Sequence, residues 1–121
     1  MNSTLLIVIA VGVIFFIYKK VTNGQKTKKI INMLQSNEKT VIVDVRTSGE
    51  FNGGHIRNSI NIPLDKISSS AEQLWGYDHI VVVCASGIRS AQAASILKGK
   101  GFTSVVNGGC WTNLNDVVSK N

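Results

Sequence analysis

The longest run of hydrophobic residues lies at the N-terminus of the chain. Met1–Tyr18 contains no charged side chain, and Leu5–Tyr18 is apolar almost without a break. As a helix this run would reach about 27 Å, against about 30 Å for the hydrocarbon core of a bilayer. A buried core helix normally shows a polar stripe, and this run shows none. The pattern therefore predicts an uncleaved single-pass transmembrane helix, which we place at residues 1–20 as a membrane anchor.

The residues that flank this run predict its orientation. Met1–Thr4 lacks Lys and Arg, and no small-residue cleavage site follows the run, so a cleaved signal peptide is the weaker alternative. Lys19 and Lys20 follow the run, and positive charge stays on the cytoplasmic side of a membrane. We therefore expect attachment to the cell (inner) membrane with the rest of the chain in the cytoplasm. Export with a cleaved or uncleaved signal is the alternative.

The remaining residues alternate between helix-like and strand-like patterns. A short basic linker is expected at residues 21–27, and apolar residues at helical spacing predict an amphipathic helix over Lys28–Asn37. Strands separated by helices require crossover connections, so residues 28–121 are expected to form one α/β domain with a parallel sheet covered on both faces. The predicted strands are Thr40–Val45, Asn58–Pro63, His79–Cys84 and Thr103–Val106. The predicted helices are a short one that begins at the Thr47–Glu50 capping box, then Ser68–Trp75, Ile88–Lys98 and Trp111–Val118. Gly108-Gly109 is predicted to form a turn.

The position of the charges limits the candidate partners. The 121 residues carry 13 basic and 7 acidic side chains, a net charge of +6. Residues 1–37 hold five lysines and no acid (+5), whereas residues 38–121 hold eight basic and seven acidic side chains (8 − 7 = +1). The excess positive charge therefore lies beside the apolar run, where it can contact anionic lipid headgroups. This distribution argues for a lipid bilayer as partner and against a nucleic-acid-binding face.

A cysteine stands where the most hydrophobic strand ends and a helix begins. Ligands of parallel sheets bind at the C-terminal ends of strands, and Cys84 occupies such a place. Small residues and Gly87 follow it, which lets backbone N–H groups curl around a concavity near the positive end of the helix. Such donors stabilise a thiolate and lower the pKa of the cysteine. A buried, inert cysteine is the alternative. The loop, with Arg89 and Ser90 following, favours a reactive one.

Several stretches resemble the motifs of rhodanese-type sulfurtransferases. Cys84-Ala85-Ser86-Gly87-Ile88-Arg89-Ser90 resembles the C-x-x-G-x-R-S active-site loop of that family. The other stretches, in the family's order, are Asp44-Val45-Arg46, Glu50-Phe51, Gly54-His55-Ile56, Asn61-Ile62-Pro63 and Asn107-Gly108-Gly109. The resemblance covers roughly residues 25–118. It implies one rhodanese-like domain after the transmembrane helix, with a parallel β-sheet flanked by helices.

Some positions depart from the family's pattern. Arg57, Asn58 and Ser59 stand where the family often has Pro, Gly and Ala. The polar segment Val21–Lys28 offers no obvious counterpart to the short strand that usually opens the domain, and Asn113 replaces a Trp often found after the G-G turn. These differences concern the opening strand and the closing helix, and they leave the cysteine loop intact.

The resemblance implies a ping-pong transfer of sulfane sulfur with Cys84 as nucleophile. A donor anion such as thiosulfate would leave a persulfide on Cys84, and a nucleophilic acceptor (cyanide, a thiol or a protein) would take the outer sulfur. The substrate-binding residues implied are Ala85, Ser86, Gly87, Ile88, Arg89 and Ser90. Their backbone N–H groups through Arg89 would stabilise the persulfide, Arg89 would orient the donor, and Ser90 would hydrogen-bond the sulfur. No metal or organic cofactor is needed. A membrane protein or a sulfur-acceptor protein is a further candidate partner.

Neighbouring polar residues are expected to support the site. Asp44 and Arg46 should hold the loop below Cys84 through polar contacts, and Glu50 should be the acid of a capping box. His55 is expected in a hydrogen-bonded structural role, because a thiolate already formed needs no base. Cys110 is expected to be a bystander thiol, the alternative being that it resolves the persulfide as an internal disulfide.

Two other functions remain open at this stage. The chain could be a membrane-tethered persulfide carrier or a non-catalytic interaction module with little turnover of small molecules. A cysteine phosphatase or arsenate reductase is weaker, because phosphatases place the arginine six positions after the cysteine. Here Arg89 lies five positions after Cys84, and the smaller loop suits a persulfide sulfur better than a phosphate or arsenate.

Overall fold

The first helix, α1 (Ser3–Gln35), carries the apolar run. A computed structural model describes residues 2–120, apart from the side chains at positions 22 and 23. Within α1, an 18-residue stretch with a mean hydropathy of 2.2 has no residue buried against the rest of the protein. Large apolar side chains such as Phe16, which is 68% exposed, stand free along it. This helix is therefore long enough and apolar enough to cross a membrane.

The C-terminal part of α1 belongs to the folded domain. Ile30 and Met33 are buried in the core, and the helix ends where the Ser36 hydroxyl donates to the carbonyl of Met33 at 2.8 Å. Residues 21–27, expected as a linker, are helical and continue into the expected amphipathic helix. A glycine inside a helix costs only about 1 kcal/mol, so Gly24 does not interrupt it. The division into anchor, linker and domain stays a prediction.

Four parallel strands form the sheet in the described part of the chain. They are β1 (Thr40–Asp44), β2 (Ile60–Asn61), β3 (His79–Cys84) and β4 (Val105–Cys110), in the order β2-β1-β3-β4. β3 lies at the centre and is buried from its second residue onward, as expected for its run of hydrophobic residues. The C-terminal ends of β1 and β3 lie side by side, since Asp44 is in register with Val83.

Helices cover both faces of the sheet, as predicted. They are α2 (Ser48–Asn52), α3 (Leu64–Ser70) with a 3₁₀ turn (Ala71–Leu74), α4 (Ile88–Gly99) and α5 (Trp111–Val118). One face packs Val82 and Cys84 against α3 and α4, with Ile67 and Leu97 buried between them. The other face packs Val81 and Val83 against α1 and α5 through Ile30 and Leu114. The α/β fold class inferred from the sequence is confirmed.

Some predicted element boundaries are wrong. The strand expected at Asn58–Pro63 is reduced to two residues, and the helix expected at Ser68–Trp75 begins at Leu64. Pro63 stands at the N-cap of this helix, where a missing N–H costs nothing, and Asp65 complements the helix dipole in the first turn. The strand expected at Thr103–Val106 continues as β4 through Gly108 and Gly109, which form a β-bulge rather than a turn.

Candidate active site

The sulfur of Cys84 lies inside a ring of backbone donors at the end of β3. Cys84 is fully buried, and its Sγ accepts hydrogen bonds from the N–H of Gly87 at 2.9 Å and of Ser90 at 3.4 Å. Gly87 is the N-cap of α4 and has a φ of 98°, which a residue with a side chain rarely adopts. Its conformation turns the chain sharply into α4 and aims the amides at the sulfur. Of the donors expected at residues 85 to 89, the structure thus shows Gly87 and Ser86 acting on the sulfur, and it adds Ser90.

This environment favours the ionised form of Cys84. Burial raises the pKa of the thiol, but hydrogen bonds from Ser90, Gly87 and Ser86 outweigh that effect and hold the pKa below its ordinary value. The N-terminal end of α4 adds its positive dipole. A lowered pKa increases the fraction of nucleophilic thiolate at neutral pH. The site therefore favours the reactive interpretation of Cys84 over the inert one.

Asn107, not among the predicted site residues, contacts the Ser90 hydroxyl. Ser90 Oγ lies 2.6 Å from Asn107 Oδ1 and 3.4 Å from Cys84 Sγ. The Asn107 amide is oriented by two further bonds, from its Nδ2 to the Gly87 carbonyl at 3.2 Å and to its Oδ1 from the Gly109 N–H at 2.9 Å. Asn107 Oδ1 and a Cys84 thiolate can both only accept, so the Ser90 hydroxyl, with its single proton, lies between two acceptors. Against the effect of burial, the side chain of Ser90 contributes most to lowering the Cys84 pKa, and the N–H groups of Ser90, Gly87 and Ser86 add to it.

The bulge in β4 brings Asn107 to this position. Asn107 is in register with Val82, and Gly109 with Val83, so Gly108 is the inserted residue. A Cβ on Gly108 would stand 2.9 Å from the side chains of Val81 and Val83. Only glycine therefore allows β3 and β4 to approach this closely. The Asn107-Gly108-Gly109 motif was a sequence signal of this arrangement, but the role of the amide requires the three-dimensional register.

Arg89 is held by Glu50 in a two-point ion pair. Arg89 Nη1 and Nη2 lie 2.8 Å and 3.0 Å from Glu50 Oε1 and Oε2. This contact, with the N–H of Thr47, lowers the pKa of Glu50 to about 2, and Glu50 raises that of Arg89. The capping box between Thr47 and Glu50 is confirmed. Arg89 as an orienting group for the donor stays a prediction, since the structure already pairs its guanidinium.

Asp44 and Arg46 form a buried ion pair that organises a different loop from the one expected. Arg46 Nη2 lies 2.8 Å from Asp44 Oδ2, and both residues are buried. The guanidinium also donates to the carbonyls of Gly54 at 2.6 Å and Glu50 at 3.3 Å, and it stacks on Trp111. The pair therefore fixes the segment from Glu50 to Gly54. It reaches the Cys84 loop only indirectly, through the Glu50–Arg89 contact.

His55 has the structural role expected of it. Its Nδ1 lies 2.8 Å from the carbonyl of Phe51, so this nitrogen carries the proton, and the ring stacks on Phe51 with centroids 3.7 Å apart. The structure gives it no hydrogen bond to Cys84.

A cavity of about 460 Å³ opens beside the cysteine loop. Ser86, Gly87 and Ile88 line it from the loop, and Gly109 and Cys110 line it from β4. Lys19 and Lys26 of α1 line the opposite wall. Of the other expected binding residues in the loop, Ala85 is exposed and Ser90 is buried. The cavity therefore lies between part of the cysteine loop and two lysines of α1.

Comparison with known proteins agrees with the fold. The rhodanese-like domain model matches residues 26–110. A protein of Schizosaccharomyces pombe, provisionally named as a mitochondrial thiosulfate sulfurtransferase, is 31% identical over 88% of this chain and 81% of its own length. A Bacillus subtilis protein provisionally named as the sulfur carrier YrkF is 38% identical over 61% of this chain and only 40% of its own length. The crystal structure of a rhodanese-like domain protein from Staphylococcus aureus superposes with a TM-score of 0.62 at 31% identity, covering 74% of this chain and 86% of that one.

Proposed function

The chain belongs to the rhodanese-like domain family of sulfurtransferases and sulfur carriers, and on that premise we propose that it transfers sulfane sulfur from thiosulfate through a Cys84 persulfide. The observation that carries the proposal is the ring of amides around Cys84 Sγ, with Gly87 N at 2.9 Å. These dipoles stabilise negative charge on sulfur without neutralising it through a fixed cation. The sulfur therefore remains a nucleophile.

The first half of the reaction loads the cysteine. The Cys84 thiolate attacks the outer sulfur of thiosulfate, and the bond between the two thiosulfate sulfur atoms breaks. Sulfite leaves with the electron pair of that bond, and Cys84 retains the outer sulfur as a persulfide. The amides of Gly87 and Ser90 then face the persulfide. The second half transfers the outer sulfur to cyanide, a thiol or a protein, and regenerates the thiolate.

Positive charge on the cavity wall supports an anionic donor. Arg89 forms an ion pair with Glu50, and this pairing reduces the attraction of the Arg89 charge for a second anion. Lys26 lines the same cavity as the cysteine loop and is exposed. A donor in the cavity would thus lie near the positive charge of Lys26 and near Ser86, Gly87 and Ile88 of the loop.

A persulfide carrier is the second candidate. The similarity to the protein named as sulfur carrier YrkF favours it, and a fully buried sulfur is consistent with holding a persulfide rather than turning over quickly. A carrier would accumulate one additional sulfur atom on Cys84 while forming little thiocyanate. The two candidates share the loading step and differ only in release.

We also place the domain at a membrane surface. The exposed apolar residues of α1, Leu5 to Val21, require a nonpolar environment, and the lysines that follow favour a cytoplasmic domain. Because α1 runs without a break into the domain, the cysteine loop stays within a short distance of the bilayer. Digestion of residues 30–121 by protease added outside sealed cells would contradict this orientation.

The experiment that tests the function is a thiocyanate assay on the full chain in detergent micelles. Thiosulfate and cyanide should give thiocyanate, and Cys84→Ser should reduce the rate by at least about a thousandfold, since it removes the nucleophile. Cys110→Ser is the matched control for loss of a thiol, since it leaves Cys84 able to react. Activity that survives in Cys84→Ser, or aryl-phosphate hydrolysis without sulfur transfer, would refute the proposal.

A further inference from the structure

The second cysteine of the chain stands directly beside the first. Cys110 is the last residue of β4 and is in register with Cys84, the last residue of β3. Neighbouring strands lie about 4.8 Å apart, so the backbones of two residues in register lie close together. The strand pairing therefore brings the two cysteines to neighbouring positions, which the sequence alone could not show.

The two sulfurs differ in exposure. Cys84 is fully buried, whereas Cys110 is partly exposed and lines the cavity together with Ser86, Gly87 and Ile88 of the cysteine loop. A persulfide on Cys84 places its outer sulfur about 2 Å beyond Sγ. A bulky acceptor such as a protein thiol has poor access to that atom. Cys110 is paired with Cys84 across the two strands and also lines the cavity.

The surroundings of Cys110 favour its thiolate. Cys110 Sγ lies 3.1 Å from the hydroxyl of Thr112. That contact lowers the pKa of Cys110, and the N–H groups of Asn113 and Thr112 add to the effect, while the charge of Cys84 opposes it. Cys110 is also the N-cap of α5, where the helix dipole favours negative charge.

We propose that Cys110 is an internal acceptor that takes the sulfane sulfur from Cys84 and presents it at the cavity. The inference rests on the proposed function, because it begins from the Cys84 persulfide. The Cys110 thiolate attacks the outer sulfur of the persulfide and forms a new bond between that sulfur and Cys110 Sγ. The bond to Cys84 Sγ breaks and its electron pair stays on Cys84 as thiolate. The proton that the Cys110 thiol gives up ends on the outer sulfur, so a thiol and a persulfide anion become a persulfide and a thiolate. No oxidant or reductant is consumed.

Attack on the outer sulfur is favoured over formation of a disulfide. A disulfide would require attack on Cys84 Sγ itself with release of hydrosulfide, and that atom is buried under the amides of Gly87 and Ser90. The same amides make Cys84 a good leaving group, since thiols of lower pKa leave faster. The loop that stabilises the thiolate before loading thus also stabilises it after the relay.

The relay is tested by mapping the label after a single loading. The full chain in micelles is mixed with thiosulfate labelled at its outer sulfur, quenched with iodoacetamide at increasing times and digested with trypsin. Cleavage after Arg89, Lys98 and Lys100 places the two cysteines in separate peptides. We expect label on Cys84 first and on Cys110 later. Cys84→Ser should carry no label at either position, and Cys110→Ser should carry label at position 84 alone. Thr112→Val, which keeps the thiol, should slow the relay roughly three- to tenfold.

Each alternative result has a distinct meaning. Label that stays on Cys84 refutes the relay and leaves the proposed function standing, whereas absence of label from both cysteines refutes the proposed function itself. Label on Cys110 in Cys84→Ser shows direct loading and refutes the relay. A peptide pair joined by a Cys84–Cys110 disulfide shows attack on the inner sulfur and refutes it as well.

Discussion

Two neighbouring strands of the sheet each end on a buried ionisable residue, and the protein stabilises the charges of these two side chains in different ways. Asp44 ends β1 and Cys84 ends β3, and both are fully buried. Asp44 is held by the guanidinium of Arg46, with Nε and Nη2 on its oxygens at 2.8–3.1 Å. Cys84 is held by backbone N–H groups. A fixed cation makes the first site structural, whereas amides stabilise charge on the second and leave it reactive.

The largest expected effect tests the structural half of this comparison. Arg46→Ala leaves the Asp44 carboxylate buried without its partner and should lower the free energy of unfolding by about 3–5 kcal/mol. Cys84→Ser should change it by less than about 1 kcal/mol, because serine can occupy the same ring of donors. Urea unfolding of both variants in micelles, followed by tryptophan fluorescence, measures the difference. Equal losses in the two variants would remove the distinction between the two strand ends.

A smaller effect tests the positive charge of Lys26 at the cavity beside the cysteine loop. Lys26→Glu reverses a charge on the cavity wall and should raise KM for thiosulfate about three- to tenfold, with a smaller change in kcat. The effect should shrink as salt is added, because the charge is exposed. Lys28→Glu is the matched control, since Lys28 lines a separate cavity beside Glu38 and His79. An equal rise in KM for both variants would show that only the net charge matters.

The parts of the fold that depend on local sequence could be predicted from it. The boundaries of β3 follow from its uninterrupted hydrophobic run, and α2 follows from the spacing of Thr47 and Glu50. Asn58, which departs from the family's glycine, has a φ of 67°, and asparagine is among the residues that best tolerate this conformation. The substitution of asparagine for glycine therefore preserves the backbone conformation at this position.

The parts of the fold that depend on long-range register could not be predicted from the sequence. Gly108-Gly109 looks like a turn in sequence, and only the packing of Val81 and Val83 against Gly108 makes it a bulge within β4. The same register brings Asn107 to Ser90 and Cys110 to Cys84, across separations of 17 and 26 residues along the sequence. The pairing of Arg89 with Glu50 is likewise a contact between segments 39 residues apart. A motif such as Asn107-Gly108-Gly109 can mark a segment of interest, but pattern and spacing do not say which residues it contacts.

The most direct test of the account is the pH dependence of Cys84 alkylation. Only the thiolate reacts with iodoacetamide, so the rate rises with pH through the pKa of the thiol. With Cys110→Ser removing the second thiol, the rate should be half-maximal at a pH below the value of 9.0 for an unperturbed cysteine. Gly87→Ala, which disturbs the ring of amides, should move the midpoint upward. A midpoint at or above 9.0 in the Cys110→Ser protein would contradict the claim that the hydrogen bonds of the loop hold the pKa of Cys84 below its ordinary value.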